Sequence, residues 1–452
     1  MIRAPMPRRS LSPPQVLAVS FCGLIALGFA LLSLPIASAT GTALSPADAL
    51  FTATSAVCVT GLIVVDTPGV LSPFGQGVVL LLIQAGGLGY MTLSTVVAVA
   101  LGRRMSLQDR LALKEALNLE TMEGLVRFAL TVFRLTAAVE LAGAVVLTLR
   151  WSAEFGLARA SWLGLFHSVS AFNNAGFSLF STNLLAWRGD VVVTLTVAIL
   201  IVCGGLGFLV LSEMGRVRRW DRLSVHTRLV VSATAILLIA GTGAIYLLER
   251  ANPATLGGIA RGEAWLAAFF QSVTARTAGF NTLDIASLTH PTLFLLIALM
   301  FIGAAPGSTG GGIKVSTLGV TVVALWATVR GETEPVLFGR RLSPQLVARA
   351  FFISFIAFMA LNVTAGLILV AERQTLLPTL FEATSAFGTV GLSMSRPGMP
   401  VSLSGTFEVW GKLLVTLMMF MGRVGPLTLA VAVVGRPKPQ RVRYPEGKVL
   451  IG

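Results

Sequence analysis

Eight stretches of the chain are apolar over a length that can cross a bilayer, which takes roughly 20 predominantly apolar residues. They cover about 15–37, 74–101, 128–149, 190–212, 229–248, 292–329, 346–371 and 402–435. Inside each successive pair lies a shorter amphiphilic segment that ends at a glycine: 48–61 (DALFTATSAVCVTG), 163–176 (LGLFHSVSAFNNAG), 264–279 (AWLAAFFQSVTARTAG) and 378–391 (PTLFEATSAFGTVG). Runs this short cannot span a membrane and suit segments that enter it and turn back. The closing glycines are 115, 103 and 112 residues apart. Such a period describes a chain built of repeats, each a span, a short helix and a span. The expected units are 1–102, 103–216, 217–331 and 332–452, the third holding an interrupted second span and the fourth a basic tail.

Composition agrees with this pattern. Of 452 residues, 55% are hydrophobic and 12% charged, against about 25% charged in an average soluble domain. That leaves too little polar surface to coat a water-soluble globule. It excludes intrinsic disorder and argues against a soluble enzyme built on a nucleotide domain. The net charge of +14 admits nucleic acid as a partner until the charges are located. Arg3, Arg8, Arg9, Arg103, Arg104, Arg110, Arg216, Arg218, Arg219, Arg340, Arg341, Arg436, Lys438 and Arg441 all lie on alternate connections. Those connections therefore face the cytoplasm beside anionic lipid, both termini with them, and no nucleic-acid partner is expected. The apolar run after MIRAPMPRRS is too long for a signal-peptide core and reads as the first span. Cys22, Cys58 and Cys203 show no pairing pattern, and His167, His226 and His290 are dispersed, so no disulfide framework or transition-metal site is indicated.

Non-helical backbone at membrane depth is tolerated only where it is buried in protein or lines a watery cavity. Four re-entrant segments satisfy this together by converging on one axis, each short helix aiming its carbonyl end, partially negative, at the centre. The strands that follow are Cys58, Val59, Thr60 and Gly61; Asn173, Asn174, Ala175 and Gly176; Arg276, Thr277, Ala278 and Gly279; and Gly388, Thr389, Val390 and Gly391. Their carbonyl oxygens, stacked in rings, replace the hydration shell of a cation. One glycine after a short helix is ordinarily a C-cap; four at one place in four repeats are not so easily dismissed. The third strand is one residue shorter and carries Arg276, which points to an asymmetric ring with that side chain bracing it from behind.

Halfway along the sixth span the run GAAPGSTGGGIK places Gly303, Ala304, Ala305, Pro306, Gly307, Ser308, Thr309, Gly310, Gly311, Gly312 and Lys314. A helix cannot continue through so many glycines and a proline at ordinary cost, so a flexible barrier beneath the filter is expected. The run departs from a phosphate-binding loop, since Ile313 precedes the lysine and Val315 follows it. Arg423, inside the eighth span, occupies the repeat position of GGLG in the first two repeats. An arginine at that depth needs carbonyls, a carboxylate or water. It is expected to hydrogen-bond carbonyls of the 303–314 loop and hold it across the pore; the plainer alternative is a helix-packing arginine. Arg134 and Glu140 suggest structural pairing with neighbouring helices. Glu408 and Lys412 stand at the spacing of an ion pair, and Asp48 is placed to cap the first short helix. Glu382 alone has no obvious cap role, so an acidic ion cage is not supported.

The motifs AVCVTGL, AFNNAGF, ARTAGFNT and AFGTVGLS, with GGLGYMTL and GGLGFLVL, resemble the Trk/Ktr/HKT superfamily of potassium transporters over essentially the whole chain, nearest its Ktr-type membrane subunits (KtrB). The resemblance implies an all-α integral membrane fold: four pseudo-symmetric repeats of membrane helix, re-entrant pore helix and membrane helix around one ion pore. It further implies K⁺ as the transported ion, Na⁺ as an activator, no organic cofactor, a homodimer in the cell membrane with one pore per protomer, and a cytosolic nucleotide-binding ring (KtrA-like) as partner. In that family the intramembrane loop is the gate, an arginine of the last span lies beside it, and the C-terminus lies at the dimer interface. A serine at the position of Gly61 is associated there with sodium. Two rivals stay open. An alternating-access symporter has several interrupted spans in corresponding halves, whereas only one strongly interrupted span is read here. The ion-translocating subunit of a K⁺-pumping ATPase shares the four-repeat plan but carries further spans.

Overall fold

The computed structural model describes residues 12–89, 124–395 and 399–434, with the single positions 92, 111 and 114. Among these, four helices cross the apolar layer unbroken: α1 (Pro13–Leu32), α5 (Leu125–Phe155), α9 (Val225–Glu249) and α13 (Pro344–Glu372). Each is followed by a short helix: α2 (Pro46–Cys58), α6 (Leu157–Phe172), α10 (Arg261–Thr274) and α14 (Leu376–Gly388). A second helix then returns inward, as α4 (Pro73–Leu88), α7 (Val191–Leu206), α11 (His290–Phe301) and α15 (Val409–Val424). Beyond these lie α8 (Phe208–Arg216), α12 (Val315–Val329) and α16 (Pro426–Val434). A one-turn helix, α3 (Thr67–Val70), and a hairpin of β1 (Val336–Leu337) and β2 (Arg340–Arg341) complete the described elements.

Local chemistry sets the helix starts. Ser45, Ser72 and Ser343 each stand before a proline and accept a hydrogen bond from a first-turn N–H, at 3.2, 3.2 and 3.3 Å. The hydroxyl or carboxylate satisfies one of the free donors, and the proline loses nothing at a position whose N–H has no helical partner. Asp190 does the same for α7, accepting from the Val193 N–H at 3.0 Å.

The second helices differ from expectation. The sequence leads one to expect a single strongly interrupted span, yet all four second helices stop, at Leu88, Leu206, Phe301 and Val424. Gly89, Gly207 and Gly425 follow the last helical turn with φ of 77°, 89° and 92°, conformations that glycine reaches without steric cost; Pro306 holds the corresponding place in the third repeat. Across Gly207 the chain bends by 98° between α7 and α8. The continuation of α4 through 90–101 lies outside the described residues.

Each short helix packs on the long helix before it and on the second helix of the preceding repeat: α6 on α4, α10 on α7, α14 on α11, and α2 on α15; α2, α6 and α14 also pack on the second helix of their own repeat. The packing therefore closes in a circle. Close approach depends on glycine. A Cβ on Gly86, Gly204 or Gly422 would collide with the carbonyl oxygen of Val57, Phe172 or Phe387, at the ends of α2, α6 and α14. The outer faces of the long helices remain apolar and exposed, as at Leu141, Leu149, Phe352, Phe355 and Val363, where lipid is the natural solvent.

Two expected charge contacts are rearranged. Lys412 pairs at 2.7 Å with Asp48 rather than with Glu408, joining the last repeat to the first, because Glu372 occupies the start of α15, accepting from the N–H groups of Glu408 and Gly411 at 3.0 and 3.1 Å. The cap of α2 is Ser45, which also donates to Asp48 at 2.7 Å.

Overpacking such contacts typically costs about 1–3 kcal/mol. Gly204→Ala is accordingly expected to lower the midpoint of thermal unfolding in detergent. Gly366→Ala, where an added Cβ meets nothing within 4 Å, should match or exceed the parent.

Candidate ion pathway

Where the four short helices end, the backbone turns in one way four times. Val59, Asn174, Thr277 and Thr389 adopt positive φ of 57°, 58°, 71° and 49°, and two residues later Gly61, Gly176, Gly279 and Gly391 adopt 87°, 70°, 80° and 91°. Left-handed backbone at β-branched residues costs of order 1–3 kcal/mol each and persists only where the surroundings over-determine it. They do so here. Thr60, Ala175 and Val390 donate their N–H to the carbonyls of Ser55, Ser170 and Ser385 at 2.8, 2.7 and 2.8 Å, and Ala278 donates to Thr274 at 3.0 Å.

The turns meet in a ring. A Cβ on Gly61 would strike the carbonyl oxygen of Ala175, on Gly176 that of Ala278, on Gly279 that of Val390, and on Gly391 that of Thr60. Each glycine thus faces the next repeat's carbonyl, and the fourth returns to the first. The same hydroxyl position braces every turn: Ser55 and Ser385 accept from the N–H of Gly61 and Gly391 at 3.1 and 3.0 Å, while Ser170 and Thr274 donate to the carbonyls of Phe177 and Phe280 at 2.8 and 2.5 Å. These four residues were not singled out from sequence, although the Ser/Thr-Ala step recurs five or six residues before each glycine. With four helix carboxyl ends aimed inward, the ring is a concentration of oxygen and partial negative charge without an ionised ligand.

Not every residue of the four strands faces that ring. Cys58 and Gly388 are the last residues of α2 and α14, and Cys58 packs in the apolar core shared with Phe51 and Phe387. The Asn173 side chain donates to Gln84 and Glu140 at 2.9 and 2.8 Å. Glu140 is therefore held by amides from neighbouring elements, since Gln84 also donates to it at 3.2 Å, a structural pairing of the kind expected for it. In the orientation that satisfies all its atoms, the Asn174 amide donates to the carbonyls of Ile201 and Ala171 and accepts from the Thr277 hydroxyl at 3.0 Å. Arg276, 8% exposed, lies behind the third turn, its guanidinium 3.4 Å from the Thr234 hydroxyl. Glu382, fully buried, accepts from Ser393 at 2.6 Å and from the N–H and hydroxyl of Ser404, tying down the chain beyond the fourth turn.

The segment 303–314 lies directly beneath the ring. A Cβ on Gly310 would strike the Thr277 hydroxyl, and one on Gly311 would reach the Thr389 hydroxyl; the Gly311 N–H donates to Thr389 at 2.9 Å. Ala305 and Thr309 donate to the carbonyls of Gly205 and Gly204 at 3.0 and 3.2 Å, and Gly307 accepts from Phe208 at 3.0 Å. Gly303 donates to Ile313 at 2.7 Å and Gly312 to Gly422 at 3.3 Å, closing the segment on itself and on α15. Lys314 donates to the Gly310 carbonyl at 2.7 Å, and Ser308 to Ala305 at 2.5 Å. Arg423 joins three repeats, its guanidinium donating to the carbonyls of Thr309, Gly86 and Gly87. Peptide and hydroxyl contacts with the other repeats, among them the Thr309 hydroxyl on the Phe172 carbonyl at 3.2 Å, and one guanidinium thus hold a backbone that has no helical hydrogen bonds of its own.

Four re-entrant helices around one carbonyl ring, under four unbroken spans, define a multi-pass membrane protein of the cation-pore class. The family model described as "TrkH: Cation transport protein" matches residues 17–444. The chain is 42% identical to Ktr system potassium uptake protein B of Vibrio alginolyticus, over 97% of this chain and 95% of that one. Its identity to the protein of the same name in Bacillus subtilis is 39%, over 98% and 97%. To the potassium/sodium uptake protein NtpJ of Enterococcus hirae it is 37%, over 98% and 98%. The fold matches the crystal structure of the potassium transporter TrkH from Vibrio parahaemolyticus with a TM-score of 0.72 at 18% identity, covering 95% of this chain and 86% of that one. The chain belongs to the TrkH family of cation transport proteins.

A hydroxyl that accepts a buried peptide N–H contributes about 1 kcal/mol. Ser385→Ala, which strips the brace from Gly391, is expected to widen the tolerated range of cation sizes, read as a smaller ratio of ⁸⁶Rb⁺ to ²²Na⁺ uptake in proteoliposomes. Thr389→Val removes the acceptor for Gly311 and should instead raise uptake of ⁸⁶Rb⁺ several-fold by loosening the segment beneath.

Proposed function

We propose that this protein takes up K⁺ across the cell membrane, down its electrochemical gradient, through the ring formed by 58–61, 173–176, 276–279 and 388–391. Carbonyl oxygens at Thr60, Ala175, Ala278 and Val390 replace water about the ion, and the segment 303–314 is the gate. The observation that carries this reading is the cyclic fit of the four glycines, each with the next repeat's carbonyl where its Cβ would be. A monovalent ion of K⁺ size suits neutral dipoles in a ring held from behind by hydroxyl groups and helix ends. The relatives that share most of its length are named for potassium uptake.

The breaks in all four second helices remove one ground for preferring a pore over alternating access, so the preference rests on the ring. Arg423 holds the gate shut by bonding the Thr309 carbonyl, and its charge opposes cations arriving at the closed gate. The protein acts as a homodimer with both termini in the cytoplasm, and a nucleotide-binding ring docks on the basic inner loops and tail. The loop 330–349 offers Arg340 and Arg341 on an exposed hairpin; most of 102–125 and the tail from 435 lie outside the described residues. Na⁺ acts as an activator, and no organic cofactor takes part.

The test is ⁸⁶Rb⁺ uptake into proteoliposomes with competing cations. K⁺ and Cs⁺ should compete strongly in the parent, Na⁺ and Li⁺ weakly. Gly61→Ser, which forces a side chain toward the Ala175 carbonyl at a φ of 87°, should lose that order and admit Na⁺. Arg423→Ala should raise uptake with the order kept. A parent protein inhibited equally by Na⁺ and K⁺ would overturn the reading, and co-purification of a P-type ATPase would replace it with the pump.

A further inference from the structure

Behind the third turn of the ring lies a cavity of about 20 Å³ lined by Ile201, Val202, Gly205, Thr234, Val273, Arg276 and Ala304. It sits where α7, α9, the end of α10 and the segment 303–314 meet. Its one charged group is the Arg276 guanidinium, and no carboxylate of the described residues makes an ion pair with it. The Arg276 Nε–H is buried and has no acceptor. Among the described residues the guanidinium's one side-chain partner is Thr234, at the long distance of 3.4 Å. Thr234 accepts there, which leaves its own hydroxyl proton free.

An unpaired charge in a membrane interior is expensive and calls for a counter-charge or water. The chemistry of the wall distinguishes these. It presents donors, a guanidinium N–H and a hydroxyl, among apolar side chains. A water molecule there finds donors but no acceptor side chain for its own protons except the same Thr234 oxygen. A small monovalent anion accepts from both and donates nothing. The volume exceeds the roughly 10–15 Å³ that a single small particle such as water needs.

We propose that this cavity is a chloride site, held by Arg276 and Thr234. The bound anion cancels a fixed positive charge three residues from Gly279, which otherwise repels every cation reaching the ring. It also lies against Ala304, whose carbonyl accepts from Val315 at 3.1 Å, and against Gly205, whose carbonyl anchors Ala305.

Occupancy is read without any flux, so it stands or falls apart from the proposed K⁺ uptake. The wild-type protein is crystallised with bromide in place of chloride and examined at the bromine absorption edge. The expected result is one anomalous peak beside the Arg276 guanidinium and the Thr234 hydroxyl, absent in Thr234→Val. In proteoliposomes, exchanging chloride for gluconate on both faces should reduce ⁸⁶Rb⁺ uptake several-fold, with bromide restoring it. Arg276→Gln, which removes the charge and keeps hydrogen-bonding atoms, should abolish that dependence. If Arg276→Gln fails to fold, the wild-type bromide map still decides. A water-filled cavity with no anomalous signal, or wild-type uptake indifferent to the anion, overturns the proposal.

Discussion

The structure depends on one steric relation repeated around a circle: the space that a glycine leaves by having no Cβ is filled by a neighbour's carbonyl oxygen. Gly61, Gly176, Gly279 and Gly391 each satisfy it for the turn before and receive it from the turn after. Backbones brought this close must take positive φ, and the strain of Val59, Thr277 and Thr389 is a direct result. What opposes that strain is burial. The short helices α2, α6, α10 and α14 are largely buried, and residues such as Phe51, Phe166, Phe270 and Phe381 have no exposed surface. Within a bilayer that burial acts through van der Waals packing rather than through removal of apolar surface from water.

The same geometry dictates what lies below. A helix that supports a re-entrant segment from the side cannot also run straight through the space beneath it, and all four second helices stop there, at Leu88, Leu206, Phe301 and Val424. Three do so at a glycine, and the third repeat lengthens its break into the segment 303–314. That segment borrows partners from every quarter of the molecule: Gly204 and Gly205, Thr389, Gly422, and through Arg423 the end of α4. Its two ends and its tip answer to different repeats, so a shift in any one of them changes the floor of the pathway.

Much of this was legible in the sequence. Length and polarity separated spanning from re-entrant helices, and the period of the glycines announced the circle before any coordinates. Less legible were the relations between distant positions. The Ser and Thr braces are ordinary helix residues until Ser385 is seen to face Gly391. The breaks at Gly89, Gly207 and Gly425 look like tolerated helix glycines, because a lone glycine in an apolar run carries no mark of φ. The partner of Lys412 was misread for the same reason. A local spacing favoured Glu408, while Asp48, 364 positions away, was nearer in space. For Glu140 the structural pairing was legible but its holders, Gln84 and Asn173, were not, because they are neutral and no charge pattern points to them.

The seam between the last repeat and the first has no covalent link and is made of Asp48 with Lys412, Ile63 with Ser402, and Arg423 with the end of α4. During synthesis at the ribosome, three quarters of the wall are in the bilayer before Lys412 and Arg423 have been translated. Until then the nascent chain is an open arc with a missing side, unable to enclose an ion. The seam is thus the last joint to close as the chain is made, and its residues set whether the circle is complete.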